Sequence, residues 1–232
     1  VPSRAGRPQF RLAGGKHGNS AEIAAAEVTL ASGMTDARED EIARHFRRSH
    51  DAFERAIADR EFLSAVAAIA EVIAGAYRNG GKLLIAGNGG SAGDAQHIAA
   101  EFLSRYRLDR RPLPAIALTT DTSVLTAVGN DYGFERVFER QVRALGRRGD
   151  VFLAISTSGR SSNVLAALRA AREIGLTTVG FTGSGANEMR GHCDHVLSAP
   201  TEETAVVQQI HLVAAHAICG VVEHELFGRS GA

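Results

Sequence analysis

The stretch KLLIAGNGGSAGDAQHIAAE, residues 82–101, decides how the rest of the chain is read. Lys82–Ala86 is a short, mostly apolar run with glycines close on either side, the pattern of a strand buried on both faces. Gly87-Asn88-Gly89-Gly90-Ser91 follows, and a helix is expected over residues 91–105, with Ser91 and Asp94 at capping-box spacing. A parallel strand that turns through glycines into a helix N-terminus points backbone N–H groups and the positive end of the helix dipole at an anion. By itself the turn also satisfies a loose G-x-G-x-x-A dinucleotide pattern through Gly87, Gly89 and Ala92.

A second segment shifts the weight. The strand expected over Asp150–Ile155 runs into Ser156-Thr157-Ser158-Gly159-Arg160-Ser161, and a helix over residues 161–174 stops at Gly175. Its three serines and one threonine place hydroxyls at the mouth of another helix, which suits a sugar phosphate and which a dinucleotide does not need. The bland alternative has Ser161 capping the helix and Ser156–Ser158 filling a turn. Neither a Walker lysine loop nor a G-x-S-x-G elbow occurs, so nucleotide hydrolysis and serine-hydrolase chemistry lack support.

Outward from these segments, helices are expected over 35–58, with Thr35 as N-cap and Ile42, Phe46, Phe53 and Ile57 on one face, and over 61–77, stopped by Asn79-Gly80-Gly81. Further strands are expected at 114–118, 177–181 and 195–198. A loop and short helix fill 119–130, and helices cover 134–145 and about 202–226. Strands alternating with helices make an α/β fold whose central parallel sheet is covered on both faces. Residues 1–34 read as a loose leading segment with Met34 as the expected start, residues 35–80 as N-terminal helices that supply subunit contacts, and residues 81–228 as the sugar-phosphate-binding domain; 35–228 forms one structural unit.

Composition narrows the field. Lys plus Arg and Asp plus Glu both number 26, leaving no broad electrostatic footprint for nucleic acid or an anionic membrane. The apolar stretches near 65–77 and 212–222 are broken by Glu71 and His216 and read as too short to span a bilayer. Two separated cysteines, Cys193 and Cys219, fit a reducing cytoplasm.

Reactive side chains gather on two expected helices. His97 and Glu101 stand at i and i+4, on one face of the helix that opens at Ser91, with Glu101 about 15 Å along the axis from that serine. The last helix carries Gln208, His211 and His216, and spacing does not choose between the two histidines. His192-Cys193-Asp194-His195 imitates a metal site but reads as surface loop.

Taken together, G-N-G-G-S-x-x-D-A-Q-H-x-A-x-E, T-T-D-T-S…G-N-D-Y-G-F, I-S-T-S-G-x-S-x-N-V and Q-Q-I-H-x-x-x-x-H resemble the phosphoheptose isomerases of the sugar-isomerase (SIS) domain superfamily, in order and over about residues 36–228. The resemblance implies an SIS-type three-layer fold and a cytoplasmic homotetramer that binds neither nucleic acid nor membrane. It implies conversion of D-sedoheptulose 7-phosphate to D-glycero-D-manno-heptose 7-phosphate, which opens bacterial ADP-heptose and lipopolysaccharide-core synthesis. It assigns Ser91, Ser156, Thr157, Ser158 and Ser161 to the phosphate, and Asn88, Gly89, Gly90, Asn130 and Asp131 to the sugar pocket. It also implies one zinc ion on His97, Glu101, Gln208 and His216, and so chooses His216 over His211; Glu101 and His216 match the catalytic pair. Arg160, Ala205 and Val206 depart from residues common in the family. The competing reading is a non-catalytic SIS tetramer that binds a replication-initiator protein; a dinucleotide enzyme ranks below both.

Overall fold

Leu83–Gly87 forms the expected strand, β1, with every residue buried. Four more strands join it: β2 (Ala115–Ala117), β3 (Val151–Ile155), β4 (Thr177–Thr182) and β5 (His195–Ser198). In this computed structural model, which describes residues 20–228, all pair in parallel in the order β2-β1-β3-β4-β5. The helices are α1 (Ser20–Ala58), α2 (Arg60–Arg78), α3 (Gly90–Leu103), α4 (Thr122–Tyr132), α5 (Val137–Leu145), α6 (Ser162–Ile174) and α7 (Thr204–Phe227).

Strand alternation divides the core in two. Leu83, Ile85, Leu153, Ile155 and Phe181 face α2, α3 and α7, while Leu84, Ala86, Phe152 and Ala154 face α5 and α6. Helices on both faces of a parallel sheet give the expected three layers. At the foot of the sheet Asp150 takes the Lys82 ammonium at 2.6 Å and the backbone N–H groups of Lys82 and Arg147, joining the starts of β1 and β3.

Several local expectations change. Helix α1 begins at Ser20, so Thr35 lies inside it and residues 20–34 are helical; the alanine- and glutamate-rich run Ala21–Glu27 has strong helix propensity without a cap at Thr35. Residues 1–19 of the expected leading segment lie outside the described residues. The chain divides into two compact units, residues 1–46 and 47–232. In the second unit α1 packs through Ala52 and Ala56 against Val206, Val207 and Ile210, joined by half-buried Phe53 of the predicted face, while Ile57 is 69% exposed. Asp59 caps α2 through the N–H groups of Glu61 and Phe62. Gly133, at φ +89°, ends α4, and a 3-10 turn over Phe134–Arg136 precedes α5.

Helix α7 is 24 residues long and apolar enough, by length and composition, to cross a membrane, contrary to the short span read from sequence. Half of its most apolar window is buried inside the protein, with Ala214, Ala215, Ile218 and Val222 in the α2–α3–α7 core.

Candidate active site

The two signature loops meet where the sheet changes direction. From β1 the chain crosses to β2 on one side, and β3 returns on the other, which opens a crevice at the carboxyl ends of β1 and β3. Asn88–Gly90 leaves β1 there and Ser156–Ser161 leaves β3. The side-chain amides of Asn88 and Asn163 bond reciprocally, both at 2.9 Å, and tie the loops together. Asn163 is 2% exposed, and only its place inside a quoted motif hinted at this.

A cleft of about 320 Å³ lies between the loops, lined by Asn88, Gly89, Gly90, Ser91, Ser156, Thr157, Ser161 and Gln208. Gly89, at φ +57°, is the N-cap of α3, so the helix opens one residue before Ser91 and makes no side-chain cap bond. The capping box is therefore not formed: one Asp94 oxygen is buried without a partner, and burial raises that carboxyl's pKa against a downward pull from His97. Ser161 is the N-cap of α6 but caps nothing with its hydroxyl, which bonds Ser156 Oγ at 2.9 Å. The bland capping role is thus unfilled, and both hydroxyls are oriented at the cleft's edge.

Three expected residues sit elsewhere. Ser158 is exposed, lines a neighbouring cavity with Arg160 and accepts the Arg160 N–H. Asn130 and Asp131 lie exposed near the end of α4, bonded to each other at 2.8 Å, and do not line the cleft.

Farther along α3, His97 Nε2 approaches Glu101 Oε1 at 3.2 Å, the contact expected from i,i+4 spacing. Helix α7 adds His216, whose Nε2 lies 3.1 Å from His97 Nε2 and 3.9 Å from Glu101 Oε1. These are the His, Cys, Asp and Glu side chains that converge for a metal among the described residues. Tetrahedral zinc with ligand bonds near 2.0–2.1 Å spaces its donors by roughly 3.3 Å, so two imidazole nitrogens and a carboxylate oxygen at these separations fit the ion. The amide of Gln208, two turns earlier on α7, instead packs against Gly90, where an added Cβ would come within 2.5 Å of its nitrogen. The structure therefore brings together three of the four expected ligands and places the fourth at the phosphate end.

His211 is 1% exposed and donates Nε2–H to the Thr182 carbonyl at 3.1 Å. Burial pushes its pKa down to about 4, against a smaller upward pull from that bond, so it is a neutral support rather than a ligand. In the His192–His195 segment, Asp194 takes the N–H and hydroxyl of Thr178, and burial, reinforced by Asp194, pushes the Cys193 thiol up to about 12. A structural role accounts for that cluster.

Sequence reading missed what holds the reactive cluster. Glu223, two turns beyond His216, takes the N–H groups of Tyr106, Arg107 and Leu108 at 2.7–3.1 Å and the Arg110 guanidinium at 3.0 Å. Both side chains of the Arg110–Glu223 pair are 2% exposed. Burial raises the Glu223 pKa, but the backbone donors and Arg110 more than reverse it, leaving the pKa lowered. Arg110 also bonds the carbonyls of Glu101 and Phe102, fastening the end of α3.

With this geometry in view, the SIS domain family matches residues 45–183. A phosphoheptose isomerase of Bradyrhizobium sp. (strain ORS 278) is 58% identical over 193 residues, covering 83% of this chain and 98% of the relative. This chain belongs to the phosphoheptose isomerase family. Solved phosphoheptose isomerases share the fold. That of Neisseria gonorrhoeae is 42% identical with TM-score 0.75, covering 80% of this chain and 98% of its own. That of Francisella tularensis is 35% identical with TM-score 0.77, covering 80% and 97%. Family membership and the cleft agree on the ligand class: hydroxyls and helix N-termini line the cleft, and the acid–base groups lie farther along α3.

Proposed function

We infer that this chain interconverts D-sedoheptulose 7-phosphate and D-glycero-D-manno-heptose 7-phosphate. The observation that carries the reading is the meeting of Glu101 and His216 on two helices, one of which opens at an anion-binding cleft. Backbone N–H groups at the N-termini of α3 and α6, with Ser91, Ser156, Thr157 and Ser161, hold the phosphate without a lysine clamp. That anchors the C7 end and directs the sugar chain along α3 toward Glu101.

Glu101 takes the proton from C1 of the ketose, giving an enediol, and returns it to C2. His216 moves the matching proton between O1 and O2, so that the C2 carbonyl becomes a hydroxyl and the C1 hydroxyl an aldehyde, with no net change in composition. His97, Glu101 and His216 would hold a zinc ion, which Glu101 and His216 would have to leave to carry protons, with Gln208 a fourth ligand only if its amide leaves Gly90. The chemistry such an ion would supply there is polarisation of substrate oxygen atoms. The same reading carries a cytoplasmic homotetramer that binds neither nucleic acid nor membrane, joined partly through the N-terminal helices, with Ser158, Asn130 and Asp131 adding ligand contacts only where the bound sugar extends past this cleft. It places the reaction at the entry to ADP-heptose and lipopolysaccharide-core synthesis. The relatives' shared identity and the converged acid–base pair favour this over a non-catalytic SIS tetramer bound to a replication initiator.

The test is incubation with sedoheptulose 7-phosphate, with and without chelator and added zinc, following the aldose by NMR. Turnover is expected to fall by roughly 10²–10⁴ in Glu101→Gln, the usual contribution of a general base, while inorganic phosphate still binds. Absence of turnover in the unaltered, zinc-supplemented chain overturns the isomerase reading.

A further inference from the structure

The imidazole of His216 has one more neighbour. The ring of Tyr106 stacks on it with centroids 5.5 Å apart and planes inclined by only 13°, within the range of attractive offset stacking. Tyr106 is not free to wander. Its backbone N–H is held by Glu223, and the Arg107 guanidinium lies 4.9 Å from its ring centroid. Helix α7 makes room at Gly220, one turn beyond His216, where an added Cβ would meet Tyr106 Cε1 at 3.3 Å. Side chains from one helix and the loop after another thus fix one face of an imidazole whose Nε2 must point at His97 and Glu101.

We propose that Tyr106 is a positioning residue for the isomerisation, holding the His216 ring in the plane that aims Nε2 into the cluster, and that Gly220 is the clearance that lets it do so. The inference rests on the isomerase reading. Tyr106 lies beyond the end of α3 and touches neither the phosphate cleft nor its lining residues, so its loss acts on the proton-transfer step rather than on anchoring. A flat ring is what the position requires; the phenol hydroxyl makes only a 3.4 Å contact with Arg107.

The experiment compares Tyr106→Phe, Tyr106→Leu and Gly220→Ala in the full chain, by steady-state kinetics with sedoheptulose 7-phosphate and by NMR of ¹³C-labelled histidine, with His216 signals assigned from His216→Gln. Tyr106→Phe is expected within about twofold of the parent. Tyr106→Leu is expected to lose about tenfold to a hundredfold in kcat at nearly unchanged KM, the scale of a small misplacement of a reacting group. Its His216 ring protons move downfield as the ring current is lost. Gly220→Ala puts a Cβ against the Tyr106 ring, which must give way, so its kcat falls and its His216 signals move at nearly unchanged KM. A structural role alone, which lowers stability without moving kcat in the folded protein, does not produce that pattern. An unmoved His216 signal in Tyr106→Leu, or a moved signal with unchanged kcat, overturns the proposal. An inactive parent with the signal shift intact instead overturns the isomerase reading and leaves the stacking standing. Should Tyr106→Leu fail to fold, Gly220→Ala carries the same decision.

Discussion

The two ends of α3 carry two different clusters and are built from different materials. At its N-terminus the contacts are backbone N–H groups, short hydroxyls and a reciprocal amide pair, supplied by the loops that leave adjacent strands and the first turns of the helices they open. Toward its C-terminus the reactive side chains are placed by groups over a hundred residues away: His216 against His97, and Glu223 against Tyr106, Arg107, Leu108 and Arg110. An anchor for a phosphate tolerates rotation of individual hydroxyls, because several weak donors share the load. A proton relay does not, and a buried charge pair with four directed bonds on one carboxylate supplies the rigidity.

The sharpest way to break the contrast is Glu223→Gln. It leaves the Arg110 guanidinium buried without its counter-charge, so a loss of about 3–5 kcal/mol is expected, lowering the thermal midpoint on the order of 10 °C. Calorimetry measures that loss, and phosphate binding measured below the transition should survive it. If anchoring and stability fall together, the two ends are not separable.

Acid should next reveal a titrating support at the phosphate end. His211 bonds the Thr182 carbonyl, and the next residue, Gly183, donates to the Thr157 carbonyl of the second loop. Its folded pKa of about 4 lies below the unfolded value of 6.5, so the unfolded chain takes up the proton first as pH falls. The stability it contributes is complete above pH 6.5 and drains away as pH falls toward 4, by roughly 3 kcal/mol for this separation. Denaturation midpoints at several pH values in that window should show a slope that His211→Gln flattens. Equal slopes in the two proteins would refute the assignment.

The smallest effect should come from Ser161→Ala. Its hydroxyl caps no N–H in α6, so stability should hold, while KM rises about tenfold through loss of one ligand hydrogen bond of order 1–1.5 kcal/mol. A destabilised variant with unchanged KM would restore the plain capping role.

Much of this was legible before any coordinates. Five strands and their helices follow from short apolar runs bounded by glycine, proline or polar residues, and both loops announce themselves by composition. The limits show at particular residues. Ser91 and Asp94 have capping-box spacing, but a left-handed Gly89 takes the cap and leaves the carboxylate turned aside. Thr35 looked like a helix start and lies mid-helix, because propensity carries α1 back to Ser20. Gln208 sits in a family motif, yet its amide packs on Gly90. Tyr106, Arg110 and Glu223 carried no local signal, since nothing near them in sequence hints at a partner on α7.

The amino-acid sequence by itself determined the order of strands and helices, the phosphate-cradling loops and the pairing of His97 with Glu101, because each depends on neighbours within a few residues. Tertiary structure alone decided that the loops share one crevice, that His216 meets His97 and Glu101 while Gln208 packs apart from them, and that a buried carboxylate and a stacked tyrosine hold the cluster. Those outcomes depend on how α7 packs across the sheet against α3, and local periodicity encodes which face a helix buries but not which distant side chain it meets there.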